Sequence, residues 1–375
     1  MNGIYIHVPF CLSKCGYCDF YSITRTIDKR RYIESIVKEI VLRSDYLIDN
    51  KIDTIYFGGG TPSLLKADQL KTILDALKEY FLVEPEHEIT LEANPDDLSP
   101  PILESFRALG INRISIGIQS FDDGHLQLMN RRHNATQAVN TVLQAHQAGF
   151  ERISIDLIYG IPGMSSESWN SNLLQAVSLP IGHISSYHLS IEPGTPFDQY
   201  RKRGRIKEVT ENESVDQYYS LIKHLAEHGF EMYEISNFAR RGEYSKHNLK
   251  YWQGGQYLGL GPSAHSYNGK QRHWNPRSLF RYYEMIEQNK QPEGEEIDLL
   301  TARNELVMTR LRTTWGLKQE EMVELFGMEE WNRLLAAAEP FMRSGDLQLI
   351  ENNQLIFNKT GWFRSDGILT RLFRV

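Results

Sequence analysis

Three cysteines, Cys11, Cys15 and Cys18, fall within eight residues near the start of the 375-residue chain, and the chain has no others. An odd, clustered set excludes an even disulfide framework. A C-x3-C-x2-C loop directly after a strand-like segment points instead to metal or cluster ligation. Three thiolates on so short a loop grip one face of a cluster. An Fe–S cluster ordinarily takes four cysteine ligands, so three leave one iron open for a substrate or cofactor. A zinc site completed by a fourth ligand such as His7 is the alternative that spacing alone leaves open, because closed structural zinc sites take four ligands.

The elements that must position this loop alternate strand and helix. Short β-branched or aromatic-rich runs bounded by Gly, Pro or Asn predict strands at 3–8, 53–57, 88–93, 113–117, 152–158 and 184–191. Helical spacing of apolar residues predicts helices at 29–47, 67–81, 100–109, 135–148 and 166–179. Ser99 is placed to cap the third, with Pro100 in its first turn. Thr210 and Glu213 have the spacing of a capping box for a further helix. Consecutive β–α units imply right-handed parallel crossovers and an α/β fold. Cys11, the Gly58-Gly59-Gly60 run, Glu92, Gln119 and Asp156 all fall at or just after strand C-termini. A barrel gathers all such ends around one mouth, whereas an open sheet gathers them at one switch point. The expectation is therefore a partial (β/α)6 TIM-like barrel.

The formal net charge is −7, from 41 Lys+Arg and 48 Asp+Glu, so no global basic field points to a nucleic-acid partner. No apolar run is long enough to span a bilayer. With a strand beginning at residue 3 no leader segment is expected, and the chain reads as cytoplasmic. Three domains are expected: a core at 1–235, an aromatic, Gly-rich connecting region at 236–299, and an α+β winged-helix-like domain at 300–375. The last reads as helices at 300–312, 319–326 and 330–343, a hairpin at 346–350 and 354–357, and a final helix at 360–373. Residues 301–375 carry 10 basic and 10 acidic side chains. A DNA-binding wing needs a basic face, so this module reads as a lid or protein-contact element.

The run Tyr5-Ile-His7-Val-Pro9-Phe10-Cys11-x3-Cys15-x-Tyr17-Cys18-Asp-Phe20 resembles the radical S-adenosylmethionine (SAM) superfamily. It resembles in particular the branch that holds the oxygen-independent coproporphyrinogen III oxidases and their heme-chaperone relatives. The likeness continues through Gly58-Gly59-Gly60-Thr61-Pro62, Glu92-Ala-Asn94-Pro95, Gly117-Ile-Gln119-Ser120, Asn130-Arg131, Asp156 to Gly163, and Glu192-Pro193-Gly-Thr195. It implies a [4Fe-4S] cluster on Cys11, Cys15 and Cys18, with SAM on the open iron. Gly59, Gly60 and Thr61 would border the methionine moiety. Glu92, Gln119 and Arg131 would hold its polar end, and Asp156 the ribose hydroxyls. Tyr17 and Tyr5 would contact the adenine or the cluster surroundings.

Two departures separate the chain from the oxidases. Phe20 stands where they carry a further cysteine, and the first strand begins without their N-terminal extension. The run His247-Asn248-Leu-Lys-Tyr251-Trp252 resembles the H-N-x-x-Y-W motif of the chaperones, to which heme binding is attributed. Histidine is a common axial ligand of heme iron, and Tyr251 and Trp252 offer flat faces. The resemblance thus implies a heme chaperone that binds the cluster, SAM and heme. Its expected partners are an electron donor and a heme-acceptor protein, such as a respiratory membrane protein. The alternative is the oxidase itself, which decarboxylates coproporphyrinogen propionates. SAM cleavage is left open. His265, in Gly261-Pro262-Ser-Ala264-His265, is a second histidine that could ligate.

Overall fold

The computed structural model describes residues 2–24 and 28–375. Six strands form its centre: β1 (Asn2–Val8), β2 (Lys51–Gly59), β3 (Leu82–Ala93), β4 (Arg113–Gln119), β5 (Arg152–Tyr159) and β6 (His183–His188). They are parallel and lie in sequence order, each beside the one before. A doubly wound sheet reverses its order at a switch point, and this one does not. β1 and β6 do not pair with each other, so the arc stays open as a partial barrel.

Side chains alternate along each strand. Ile4, Ile6, Ile55, Leu91, Ile114 and Ile155 are fully buried in the apolar core. The alternate positions, among them Tyr5, Tyr56, Glu92, Ser115, Asp156 and Ser185, face the lumen. Closed TIM barrels pack branched apolar side chains into that interior. Here the inward row is polar, so the lumen is a cavity.

The helices that cover the arc are α1 (Lys29–Leu42), α2 (Ala67–Tyr80), α3 (Pro100–Ala108), α4 (Asp123–Leu128), α5 (Ala135–Gln147) and α6 (Ser166–Val177). α7 (Pro196–Lys202) and α8 (Glu211–Glu227) follow. The Thr210–Glu213 capping box forms as the spacing predicts. Ser99 occupies the N-cap of α3, but its side chain makes no capping bond. α1 ends earlier than expected, at Leu42. Arg43 caps the helix, pairs with buried Glu39 at 3.7 Å and stacks over Tyr46 at 4.5 Å.

Residues 236–299, expected as a connecting region, instead extend the same sheet. β7 (Glu231–Glu234) and β8 (Asn237–Ala239) continue it beyond β6. On the other side stand β9 (Gln256–Leu260), β10 (His265–Tyr267), β11 (Gln271–Trp274) and β12 (Glu293–Glu296). β9 runs parallel to β1. Between these groups lies α9 (Lys246–Trp252), and α10 (Leu279–Glu287) precedes β12.

The C-terminal part has the expected three helices and hairpin: α11 (Leu299–Leu311), α12 (Gln319–Phe326), α13 (Met328–Arg343), and β14 (Leu347–Ile350) with β15 (Gln354–Phe357). A short β13 (Leu317–Lys318) adds a third antiparallel strand. The single last helix expected is two, α14 (Lys359–Phe363) and α15 (Ser365–Leu372).

Candidate cluster and cofactor site

The cysteine loop leaves the C-terminal end of β1 and is tied down on both sides. Cys11 N donates to the Ile23 carbonyl at 3.0 Å, and Gly16 N to the Met129 carbonyl at 3.0 Å. Asn130 Nδ2 donates to the Lys14 carbonyl at 2.9 Å. The Thr61 hydroxyl lies 3.5 Å from Cys11 Sγ, and Arg131 Nη1 donates to Cys15 Sγ at 3.2 Å. All three thiols are half-buried and line one cavity of about 1020 Å³. Burial pushes the Cys18 thiol up to about 11 and raises that of Cys11. Cys11 and Cys18, whose negative forms are penalised by burial, fit the cationic core of an iron–sulfur cluster, which would supply the missing positive charge. Among the described residues, no three His, Cys, Asp or Glu side chains gather as a site for a single metal ion.

The expected cofactor residues share this cavity. Glu92, at the end of β3, accepts from the Tyr56 hydroxyl at 2.7 Å and Gly59 N at 3.1 Å, and burial raises its pKa. Asp156 on β5 is raised to about 7, first by burial and then by Glu92. Two neighbouring carboxylates whose charged forms burial penalises suit a ligand that carries positive charge. Gln119 sits at φ +70°, a left-handed conformation unusual for a residue other than glycine, where the β4–β5 register shifts. Such strain concentrates at functional sites.

Three expectations are sharpened. Gly59 and Gly60 border the cavity, yet what excludes a side chain is the protein itself. A Cβ on Gly59 would lie 2.6 Å from the His7 ring, and one on Gly60 would lie 2.7 Å from the Phe10 carbonyl oxygen. Arg131 is already engaged: Nη2 donates to Asn94 Oδ1 and the Gly117 carbonyl, each at 2.6 Å, and buried Nε has no partner. Tyr5 and Tyr17 separate. Tyr17 lies in the cysteine loop, edge-on to Phe197, whereas Tyr5 lies deeper, stacked on Tyr56, with its hydroxyl 3.1 Å from His7 Nδ1.

The His247 motif forms α9, which plugs the N-terminal end of the arc beneath the cavity. His247 is 1% exposed. Nδ1 bonds the Thr54 hydroxyl at 2.7 Å and Nε2 the Tyr251 hydroxyl at 2.9 Å, so neither nitrogen is open to iron in this arrangement. The ring stacks on Tyr56 at 4.9 Å. Asn248 and Tyr251 face the cavity floor. Trp252 lies outside the cavity, and its carbonyl holds Arg310. Sequence reasoning missed what fastens this plug. Glu88, midway along β3, and Arg113, at the start of β4, form a buried ion pair at 2.9 Å. Glu88 accepts from His247 N at 3.2 Å, and Arg113 donates to the Glu243 and Tyr244 carbonyls at 2.8 Å each. The signal was available: Glu88 and Arg113 alternate with the apolar, buried positions Ile89, Leu91, Ile114 and Ile116 of their strands.

An open βα arc with a three-cysteine loop at its mouth and a polar lumen defines the radical SAM class. Residues 5–173 match the Radical SAM superfamily. The solved structure of the coproporphyrinogen III oxidase HemN from Escherichia coli, described as a radical SAM enzyme, shares the fold. Its TM-score is 0.85 at 22% identity, covering 99% of this chain and 90% of that one.

Curated relatives narrow the class. The heme chaperone HemW of Mycobacterium tuberculosis is 35% identical over 321 residues, covering 84% of this chain and 82% of that protein. HemW of Bacillus subtilis is 34% identical, covering 87% of each chain, and that of Synechocystis is 34% identical, covering 95% of this chain and 88% of its own. The chain belongs to the HemW family of radical SAM proteins.

Proposed function

We propose that this chain is a heme chaperone that carries a [4Fe-4S] cluster on Cys11, Cys15 and Cys18, takes SAM into the lumen, and passes heme to an acceptor protein. The observation that carries this reading is the likeness to curated heme chaperones over nearly the whole chain. The site's geometry is consistent with it. Cys11, Cys15 and Cys18 would hold the cluster beside the lumen, where it would be able to supply an electron to the SAM sulfonium. The protein's own groups orient the ligand. Gly59, Gly60 and Thr61 shape the wall beside Cys11, and Tyr17 and Tyr5 bound the site at two depths. Glu92 receives the ligand's amino group and Gln119 its polar backbone. Arg131 offers its unpartnered edge to the carboxylate, and Asp156 accepts from the ribose hydroxyls.

Among the described residues no helix is long and apolar enough to cross a membrane. We place the protein in the cytoplasm, where it meets an electron donor and an acceptor that is itself free to be membrane-bound. Anaerobic reconstitution tests the scaffold, with about four irons per chain expected. Mixing the heme-loaded protein with an apo heme protein tests the activity, read as appearance of the acceptor's Soret band. Stoichiometric zinc without iron, or steady decarboxylation of coproporphyrinogen, would overturn the reading.

A further inference from the structure

Five histidines line the cavity: His7, His183, His188, His247 and His265. Four are held by hydrogen bonds. His7 bonds the Tyr5 hydroxyl and the Tyr21 carbonyl, His183 the Tyr233 hydroxyl, and His188 the Ser214 hydroxyl. His247 bonds through both nitrogens. His265 is exposed and its ring has no hydrogen bond to the described residues; it lies against Trp274, with ring centroids 6.4 Å apart.

The segment around His265 is rigidly set. Gly261 and Ser263 both have positive φ, at +91° and +66°, and turn the chain from β9 into β10. Ser263 N donates to the Pro276 carbonyl at 3.1 Å, and Asn275 N to the Ala264 carbonyl at 2.9 Å. The same strip is joined to the segment just after the cysteine loop. Arg277 Nη2 donates to Asp19 Oδ1 at 3.2 Å, and Leu279 N to the Tyr21 hydroxyl at 2.6 Å. Between Asp19 and Tyr21 stands Phe20, a 71% exposed aromatic ring at the cavity rim. One rim therefore offers an open imidazole, a bare flat apolar face and an arginine whose side chain is 59% exposed. A metalloporphyrin has the complementary set: a central iron that takes imidazole, a flat apolar ring, and an edge with two carboxylates.

We propose that heme docks on this rim, with His265 as the iron ligand, Phe20 against the porphyrin face and Arg277 toward the propionates, while His247 holds the plug beneath. This rests on the heme-chaperone reading and assigns its binding site.

The test is spectroscopic titration of the full-length, iron-loaded protein with hemin, for wild type, His265→Ala, His265→Gln and His247→Gln, each checked by thermal melting. Both His265 variants are expected to melt as wild type, to bind hemin roughly tenfold or more weakly, and to lose the wild-type Soret position. Added imidazole is expected to restore that position in His265→Ala. His247→Gln is expected to keep the wild-type heme spectrum and to melt at a lower temperature. If wild type binds hemin and the His265 variants show its spectrum unchanged, the assignment is overturned while the chaperone reading stands. If wild type does not bind hemin, the chaperone reading falls and the assignment with it.

Discussion

Asp156 carries a pH-sensitive charge in the lumen. Its pKa of about 7 in the folded chain, against an ordinary 3.8, means that the native state holds the proton more tightly than the unfolded state. The cost of its carboxylate is therefore absent below about pH 4, grows as pH rises toward 7, and is complete above it. Asp156→Asn is expected to stabilise the ligand-free protein by about 1–3 kcal/mol at pH 8 and to leave it unchanged near pH 4, measured by urea unfolding. The same variant is expected to bind SAM more weakly at pH 8; equal binding would remove Asp156 as a ribose contact. Cys11→Ser, Cys15→Ser and Cys18→Ser are each expected to lose most of the reconstituted iron, measured as iron per chain. These residues were legible in the sequence because their spacing and strand-end positions carry the signal. The state of His247 was not. Its burial depends on Thr54, distant in sequence, and on an intervening lumen wall that no local pattern describes.

At the scale of elements, α9 is held by an ion pair rather than by its own length, since seven residues form barely two turns. Removing one partner of a buried pair leaves the other charge uncompensated. Glu88→Gln is therefore expected to cost about 3–5 kcal/mol and to speed amide exchange across 246–252. Equal exchange would show that the plug is fastened elsewhere. Gly60→Ala pushes a methyl group into the Phe10 carbonyl beside the cysteine loop. Reduced iron loading with little change in lumen residues is expected, checked by iron content and SAM binding. The six central strands were legible because β-branched, apolar and aromatic residues cluster in each, although β3 begins at Leu82, six residues before the predicted start, where its Glu-rich first half carries no apolar pattern. β8, β10, β11 and β12 were not, because strands of three or four residues, one of them Glu-Gly-Glu-Glu, carry no hydrophobic alternation.

For the whole molecule, twelve strands among the described residues form one sheet whose ordered centre sets out the site and whose flanks extend it at both edges. β9 beside β1 brings the His265 strip to the cysteine loop, a contact between distant parts of the chain. The partial barrel was legible from the repeated βα unit and from functional residue types at successive strand ends. The membership of 236–299 in the same sheet was not, because register against β1 is a tertiary fact. The C-terminal helices and hairpin carry balanced charge, and no measurable duplex-DNA retardation at low salt is expected. The central claim is that this scaffold handles heme, and titration of the iron-loaded chain with hemin, followed in the Soret region, tests it most directly. The account predicts saturable, stoichiometric binding and departure of that heme to an apo acceptor. A correctly melting, iron-loaded protein that shows no saturable heme binding would contradict it.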